Sequence, residues 1–237
     1  MRFLLNDQRL DTTKKIQVAI SYFLQVTVLV ALIYDIYKQE WLSVFAITGI
    51  LILMSLPAIL RRSYIERLPI EIDFIAILFI YATIFLGGIK LFYDKYWWWD
   101  GLMHTISGIL FGVAGFLLVY VLNTNKKVHL NLSPFFIALF SLSFANVIAV
   151  LWEIFEYSLD FFFAFNMQET GLVDTMWDLI VAEAGALIVA ILGFIYLRKQ
   201  KDLFYDFIHR FLGWKRLKRI KEFRQKRKLK KNKKTKK

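Results

Sequence analysis

The chain has 237 residues, of which 58% are hydrophobic and 17% aromatic, and its formal net charge is +12. It contains no cysteine, which excludes disulfides and thiolate metal sites and leaves the redox compartment undetermined. Apolar runs of about 20 residues, enough to cross a bilayer, recur six times, and they are solidly apolar rather than alternating, which excludes a β-barrel. The sequence therefore predicts an all-α, polytopic membrane protein.

The six predicted transmembrane helices follow one another with short polar connections. Fifteen mostly polar residues precede the first of them, and no small-residue cleavage site follows promptly, so we expect an uncleaved signal anchor. The predicted spans cover residues 16–36, 41–60, 72–93, 100–122, 134–163 and 178–197.

The placement of Lys and Arg predicts the orientation, because cytoplasmic segments carry an excess of these residues. With the N-terminus inside, all but three of the 31 Lys and Arg fall on inner segments, the exceptions being Lys38, Lys90 and Lys95. We therefore predict a cytoplasmic segment over 1–15 and a six-helix transmembrane domain over 16–197, with both termini cytoplasmic. The two halves do not resemble each other, so an inverted-repeat transporter is not supported.

Positive charge is concentrated in residues 198–237. Apolar residues recur there at intervals of three and four among Lys and Arg, which predicts an amphipathic helix over 198–223 lying in the inner interface. Residues 224–237 are too charged to bury apolar surface and should form a disordered basic tail. We expect 198–237 to bind anionic inner-leaflet lipids. Nucleic-acid binding is not expected, because no recognition fold accompanies the charge.

The fourth span begins in the stretch YWWWDGLMHT, residues 96–105. Its three tryptophans predict anchoring at the outer interface. Glycines allow another backbone to approach closely, so the face that carries them should point into the bundle. A homodimer seam along that face ranks lower, because it would place the polar residues at a subunit contact. The face consists of Asp100, His104, Gly108, Gly112 and Gly115.

The fifth and sixth spans carry further acids on inward faces. Glu153, Glu156 and Asp160 are spaced three and four residues apart, and Asp174 and Asp178 are four apart. The topology brings these spans and the fourth to one depth, the outer third of the bilayer. Six carboxylates and one imidazole are expected to meet there: Asp100, His104, Glu153, Glu156, Asp174, Asp178 and Glu183.

Each ionisable residue in a membrane costs about 2.5–3.5 kcal/mol to insert, so this cluster requires compensation. Lys90 and Lys95 are the nearby cations, and a bound metal ion, shared protons, a cationic substrate group or open water are alternatives. Oxygen-rich sites with one His suit Mg²⁺, Mn²⁺ or Ca²⁺ and can also hold Zn²⁺ or Fe.

The simpler interpretation of the cluster is a set of structural interhelical hydrogen bonds; we favour a functional site. The catalytic candidates are Asp100, His104, Glu153, Glu156 and Asp178. The metal-ligand candidates are His104, Glu153, Glu156, Asp174 and Asp178.

The order of these motifs resembles that of a known family. D-x-x-x-H, W-E-x-x-E and D-T-x-x-D, followed by a helix with G-A, is similar to the YjdF-like inner-membrane proteins of bacteria, and more distantly to the VanZ-like membrane proteins associated with glycopeptide-antibiotic resistance. The resemblance spans about residues 94–197 and implies a multi-pass protein of the bacterial plasma membrane, without implying a reaction. An Asn of the family pattern is Ala182 here, so its polar role is absent or taken by Glu183. The matching residues are Asp100, His104, Glu153, Glu156, Asp174, Thr175, Asp178, Gly185 and Ala186.

Three functions are compatible with the cluster. The first is an enzyme acting on a lipid or lipid-linked envelope precursor, with His104 as the proton carrier. No nucleophilic serine motif or phosphate-binding glycine loop is present, which favours metal-assisted or acid/base chemistry. The second is a cation- or proton-coupled transporter, for which Ser141, Ser143 and Asn146 offer a weak polar path inward. The third is a non-enzymatic scaffold or immunity-type protein.

Overall fold

The computed structural model describes residues 11–63, 70–124, 131–168 and 170–199. Within these ranges the chain forms helices joined by turns and no strand, which confirms the predicted all-α class. The predicted segment 1–15 is described only from Asp11 onward. The amphipathic helix predicted over 198–223 lies outside the described residues apart from its first two, and the tail predicted over 224–237 lies wholly outside them.

Five of the helices are long and apolar enough to cross a membrane. The helix that corresponds to the predicted span 41–60 is apolar over the shorter stretch Trp41–Pro57. The structure therefore supports a multi-pass helical protein with five candidate spans. These are Thr12–Lys38, Ile70–Ile89, Trp99–Asn123, Pro134–Phe163 and Leu172–Arg198.

The chain divides into two compact units, and the first contains the three N-terminal helices. They are α1 (Thr12–Lys38), α2 (Trp41–Ser63) and α3 (Ile70–Ile80), which continues as a π-helix over Tyr81–Ile89. α1 is followed by Gln39, whose left-handed backbone turns the chain directly into α2. The core of this unit is aliphatic apart from one phenylalanine and consists of Leu24, Val28, Ile47, Ile50, Met54, Ile77 and Phe85.

The second unit contains the short helix α4 (Phe92–Lys95) and three long helices, α5 (Trp99–Thr124), α6 (Pro134–Phe163) and α7 (Leu172–Lys199). α6 begins where the sequence predicts, because the Ser133 hydroxyl accepts a hydrogen bond from the Phe136 amide and Pro134 occupies the first turn. At its other end, both Asp160 carboxylate oxygens accept backbone N–H groups, from Met167 at 2.6 Å and from Gln168 at 2.8 Å. This pairing holds the connection to α7.

Glycines allow α5 and α7 to approach backbone to backbone. A Cβ atom on Gly108 would overlap the carbonyl group of Ala182, and one on Gly185 would overlap the carbonyl of Thr105. One turn further along α5, a Cβ on Gly112 would lie 3.2 Å from Cβ of Val189. The glycine face of α5 therefore points into the bundle, as predicted. The alternative homodimer seam is wrong, because the same chain covers this face.

Several predicted helix ends differ from the structure, and two of these differences affect residues near the polar cluster. The third predicted span, 72–93, ends at Ile89, because Leu91 adopts a left-handed backbone (φ 59°) that a regular helix cannot include. Tyr93 therefore belongs to α4 and the second unit. The sixth predicted span, 178–197, begins six residues earlier, at Leu172. Asp174 and Asp178 consequently lie on one continuous helix.

Replacing Ser141 by alanine should destabilise the second unit by about 0.5–1.5 kcal/mol. Its hydroxyl is fully buried and donates to the Gly112 carbonyl at 2.7 Å, joining α6 to α5. Thermal unfolding in detergent measures the loss. Ser158→Ala is the matched control, because the Ser158 hydroxyl bonds to Ile154 of its own helix and should change stability little. Equal losses in the two variants would contradict the interhelical role of Ser141.

Candidate functional site

His104 lies at the centre of the site, on the second turn of α5, with 8% of its surface exposed. Its Nε2 atom is 3.5 Å from Oδ1 of Asp100 and 4.0 Å from Oδ2 of Asp178, and its Nδ1 atom is 3.8 Å from Oε1 of Glu153. Asp100 precedes His104 by one turn of α5, whereas Glu153 comes from α6 and Asp178 from α7. Side chains from three helices thus converge on one imidazole.

The potential ligand atoms fall into two groups that share His104. One group consists of Asp100, His104 and Asp178, and the other of His104, Glu153 and Glu156. Within each group the ligand atoms all lie within 4.8 Å of one another. A single ion could therefore reach all three members of either group after small side-chain movements, since metal–ligand bonds are about 2.0–2.5 Å long.

Glu153 is the most unusual member of the site. Its residue is 5% exposed, and neither carboxylate oxygen makes a hydrogen bond of regular geometry among the described residues, although the polar side chains of Thr175 and Gln168 lie close to it. A buried polar group without a partner costs about 1–3 kcal/mol, and more when it is charged. The sequence places this group deep between three helices, facing His104, where a ligand or a proton would compensate the cost.

Aromatic residues beside the site pack against the first turn of α5. The Phe92 ring of α4 meets the Trp99 ring edge to face, with centroids 5.0 Å apart. Trp97 and Trp98 are exposed, whereas Trp99 is partly buried beside Asp100. On the opposite helix, the Nε1 atom of Trp177 approaches the position of a Cβ on Gly101 to 3.6 Å. This arrangement places tryptophans at the same end of the second unit as the carboxylates.

Two of the predicted cluster members stand apart from the ligand groups. Asp174, in the first turn of α7, is close enough to Asp178 to interact with it electrostatically, but it belongs to neither group. Glu183 is partly buried one turn beyond Asp178 and also belongs to neither. Among the described residues, the structure thus brings together Asp100, His104, Glu153, Glu156 and Asp178, which are the five predicted catalytic candidates.

Sequence reasoning missed Tyr93, which lies beside these acids. Burial raises the pKa of the Tyr93 phenol, and the negative charges of Asp100, Glu156 and Asp178 raise it further. The phenol therefore stays protonated and is available as a hydrogen-bond donor. The length of the apolar run predicts Tyr93 at the end of the third span, and the left-handed conformation of Leu91 that moves it into the second unit leaves no sequence signal.

The long apolar helices and the carboxylate–histidine cluster define a multi-pass helical membrane protein with an ionisable site inside its second unit. The chain belongs to the family described as predicted membrane protein (DUF2238), which matches it over residues 19–199. This confirms the expected uncharacterised membrane family, and the match extends well beyond the residues of the motif resemblance. No curated protein and no solved structure matches the chain.

Proposed function

We propose that this protein is an enzyme of the bacterial plasma membrane that acts on a lipid or a lipid-linked envelope precursor by metal-assisted or acid/base chemistry. The proposal includes six membrane spans with both termini cytoplasmic, as the Lys and Arg distribution predicts. It also includes binding of anionic inner-leaflet lipids by residues 198–237.

One observation carries the proposal: four carboxylates from three helices surround the buried imidazole of His104. A structural hydrogen-bond network would leave its members paired, because unpaired polar groups are costly inside a bilayer. Glu153 instead presents two buried oxygens without a hydrogen bond of regular geometry among the described residues, and only the side chains of Thr175 and Gln168 are close enough to compensate them in part. The arrangement fits a site that is completed by something it binds.

The site residues divide the required chemical tasks between them. A divalent ion bound there would supply Lewis-acid polarisation of a phosphoryl or carbonyl oxygen. His104 can hold the ion together with the carboxylates, and the Tyr93 phenol can donate a hydrogen bond to developing negative charge. The exposed Trp97 and Trp98 favour a position at the headgroup level of the bilayer, which supports a substrate that resides in the membrane.

The transporter alternative is less well supported by the packing. Ser141, part of the polar path that a transporter would need, donates its hydroxyl to the Gly112 carbonyl and lies in a fully buried contact. Its polarity therefore serves helix association.

A turnover assay tests the proposed enzyme. The full-length protein, reconstituted with a bacterial lipid extract, should change specific lipid species in the presence of Mn²⁺ or Zn²⁺, as followed by mass spectrometry. EDTA should stop the change, and Asp178→Asn should slow it at least about 100-fold because it removes a group facing His104. Lipid profiles that are identical for the wild type, the variant and empty liposomes would overturn the proposal.

A further inference from the structure

The two nitrogens of His104 face different environments. Nε2 faces two carboxylates on separate helices, Asp100 of α5 at 3.5 Å and Asp178 of α7 at 4.0 Å. Nδ1 faces Glu153 of α6 at 3.8 Å. A neutral imidazole has one N–H donor and one free lone pair, so the two sides cannot have the same role.

The Nε2 side has the properties of a cation position. Two carboxylates and an imidazole nitrogen give three ligands of the kind that Mn²⁺, Zn²⁺ and Fe bind. The Asp100 side chain is 33% exposed, so this side of the imidazole is nearer to the surface of the unit than the Glu153 side is. A catalytic metal site needs access for its substrate, and the Nε2 side meets this need better than the Nδ1 side.

The Nδ1 side has the properties of a support. The Glu153 side chain is 6% exposed, and its oxygens make no hydrogen bond of regular geometry among the described residues, with Thr175 and Gln168 as the other polar side chains nearby. At 3.8 Å the pair is longer than a hydrogen bond, and a small rotation of either side chain would close it. A metal-ligating His usually donates its second N–H to a carboxylate, which fixes the ring orientation.

We infer that the site binds a divalent cation through Nε2 of His104 together with Asp100 and Asp178, and that Glu153 is a positioning residue that accepts the Nδ1 proton. This assignment shares one premise with the proposed function, namely that the cluster binds a metal ion. It does not depend on which reaction the protein catalyses. The alternative group of His104, Glu153 and Glu156 also has ligand spacing, and it predicts the opposite pattern in variants.

Asp100→Asn and Glu156→Gln form a matched pair, because each removes the charge of one partly buried acid from one group. Mn²⁺ binding to full-length protein in detergent, followed by the loss of the free-ion EPR signal, should weaken at least about 100-fold in Asp100→Asn and change less than about threefold in Glu156→Gln. Asp178→Asn repeats the first result from another helix, in case Asp100→Asn fails to fold. Binding that survives in the Asp variants and is lost in Glu156→Gln would overturn the assignment.

The role of Glu153 needs a measurement that distinguishes a hydrogen bond to Nδ1–H of His104 from direct coordination of the ion. With Co²⁺ as the ion, Glu153→Gln should keep the visible absorption spectrum and a stoichiometry of one, because Gln still offers an acceptor to Nδ1–H. Its affinity should fall about 10-fold, and that of Glu153→Ala about 100-fold. A Co²⁺ spectrum that changes in Glu153→Gln as it does in Asp178→Asn would make Glu153 a direct ligand and overturn its positioning role.

Failures of the two proposals are distinguishable. If the predicted binding pattern is found without turnover of any lipid, the enzymatic proposal fails and the ligand assignment stands. If lipid turnover depends on the metal but Glu156→Gln abolishes metal binding, the ligand assignment fails and the enzymatic proposal stands. A wild-type protein that binds neither Mn²⁺ nor Co²⁺ overturns the assignment.

Discussion

Replacing His104 by alanine should abolish divalent-ion binding and any activity that depends on it, because His104 is shared by both ligand groups. The loss of affinity should be at least about 100-fold whichever group holds the ion. His104→Gln should have the same effect while retaining a polar side chain of similar length in the buried position. Elemental analysis of the purified proteins after equilibration with Mn²⁺ and gel filtration gives the measurement.

Ser107→Ala is the control for His104 on the same helix. The Ser107 hydroxyl donates to the His104 carbonyl at 2.7 Å and contributes no ligand to either group. This variant should retain its metal content. Retention of a full equivalent of metal by His104→Gln would show that the imidazole is not a ligand.

Among the substitutions considered, Gly108→Ala should lower the free energy of unfolding most. In Gly108→Ala the new Cβ would meet the backbone carbonyl of Ala182, which cannot rotate away as a side chain could. We expect a loss of about 3 kcal/mol, the upper part of the range for overpacking, against a gain of at most about 1 kcal/mol from the helix propensity of alanine. Thermal or denaturant unfolding in a mild detergent measures the difference.

Gly49→Ala is the control for this prediction. Gly49 also lies within a helix, α2, but a Cβ there would meet nothing within 4 Å. Its variant should be unchanged or more stable by up to about 1 kcal/mol. If Gly108→Ala were as stable as Gly49→Ala, α5 and α7 would not be in backbone contact.

The sequence predicts helices most accurately where local signals agree with hydrophobicity. The predicted and observed ends of α6 coincide at Pro134 and Phe163, because a serine cap and a proline mark its start. The sequence predicts the start of α7 too late, at Asp178, because Asp174 then belongs to the connection that precedes the helix. Acids are in fact favourable in the first turn of a helix, where Asp174 lies.

The meeting of the site residues could also be predicted from sequence, because helical spacing and span order give a common face and depth. Which carboxylates face Nε2 of His104 and which face Nδ1 could not be predicted, since this depends on the rotamer of His104 and on which neighbouring helix lies on each side. Tyr93 was missed for a related reason. The conformation of Leu91 is set by tertiary packing, and leucine is not a residue that normally marks a left-handed turn.

The contact between Gly108 and Ala182 has a consequence for the thermodynamics of binding. Gly108 follows His104 by four residues, and Ala182 follows Asp178 by four, so each lies one helical turn from a site residue. Because these backbones are in van der Waals contact, the spacing of the two helices beside His104 and Asp178 is set before a ligand arrives. An incoming ion therefore has to order the two side chains but not the helices that carry them, and more of its interaction free energy remains as affinity.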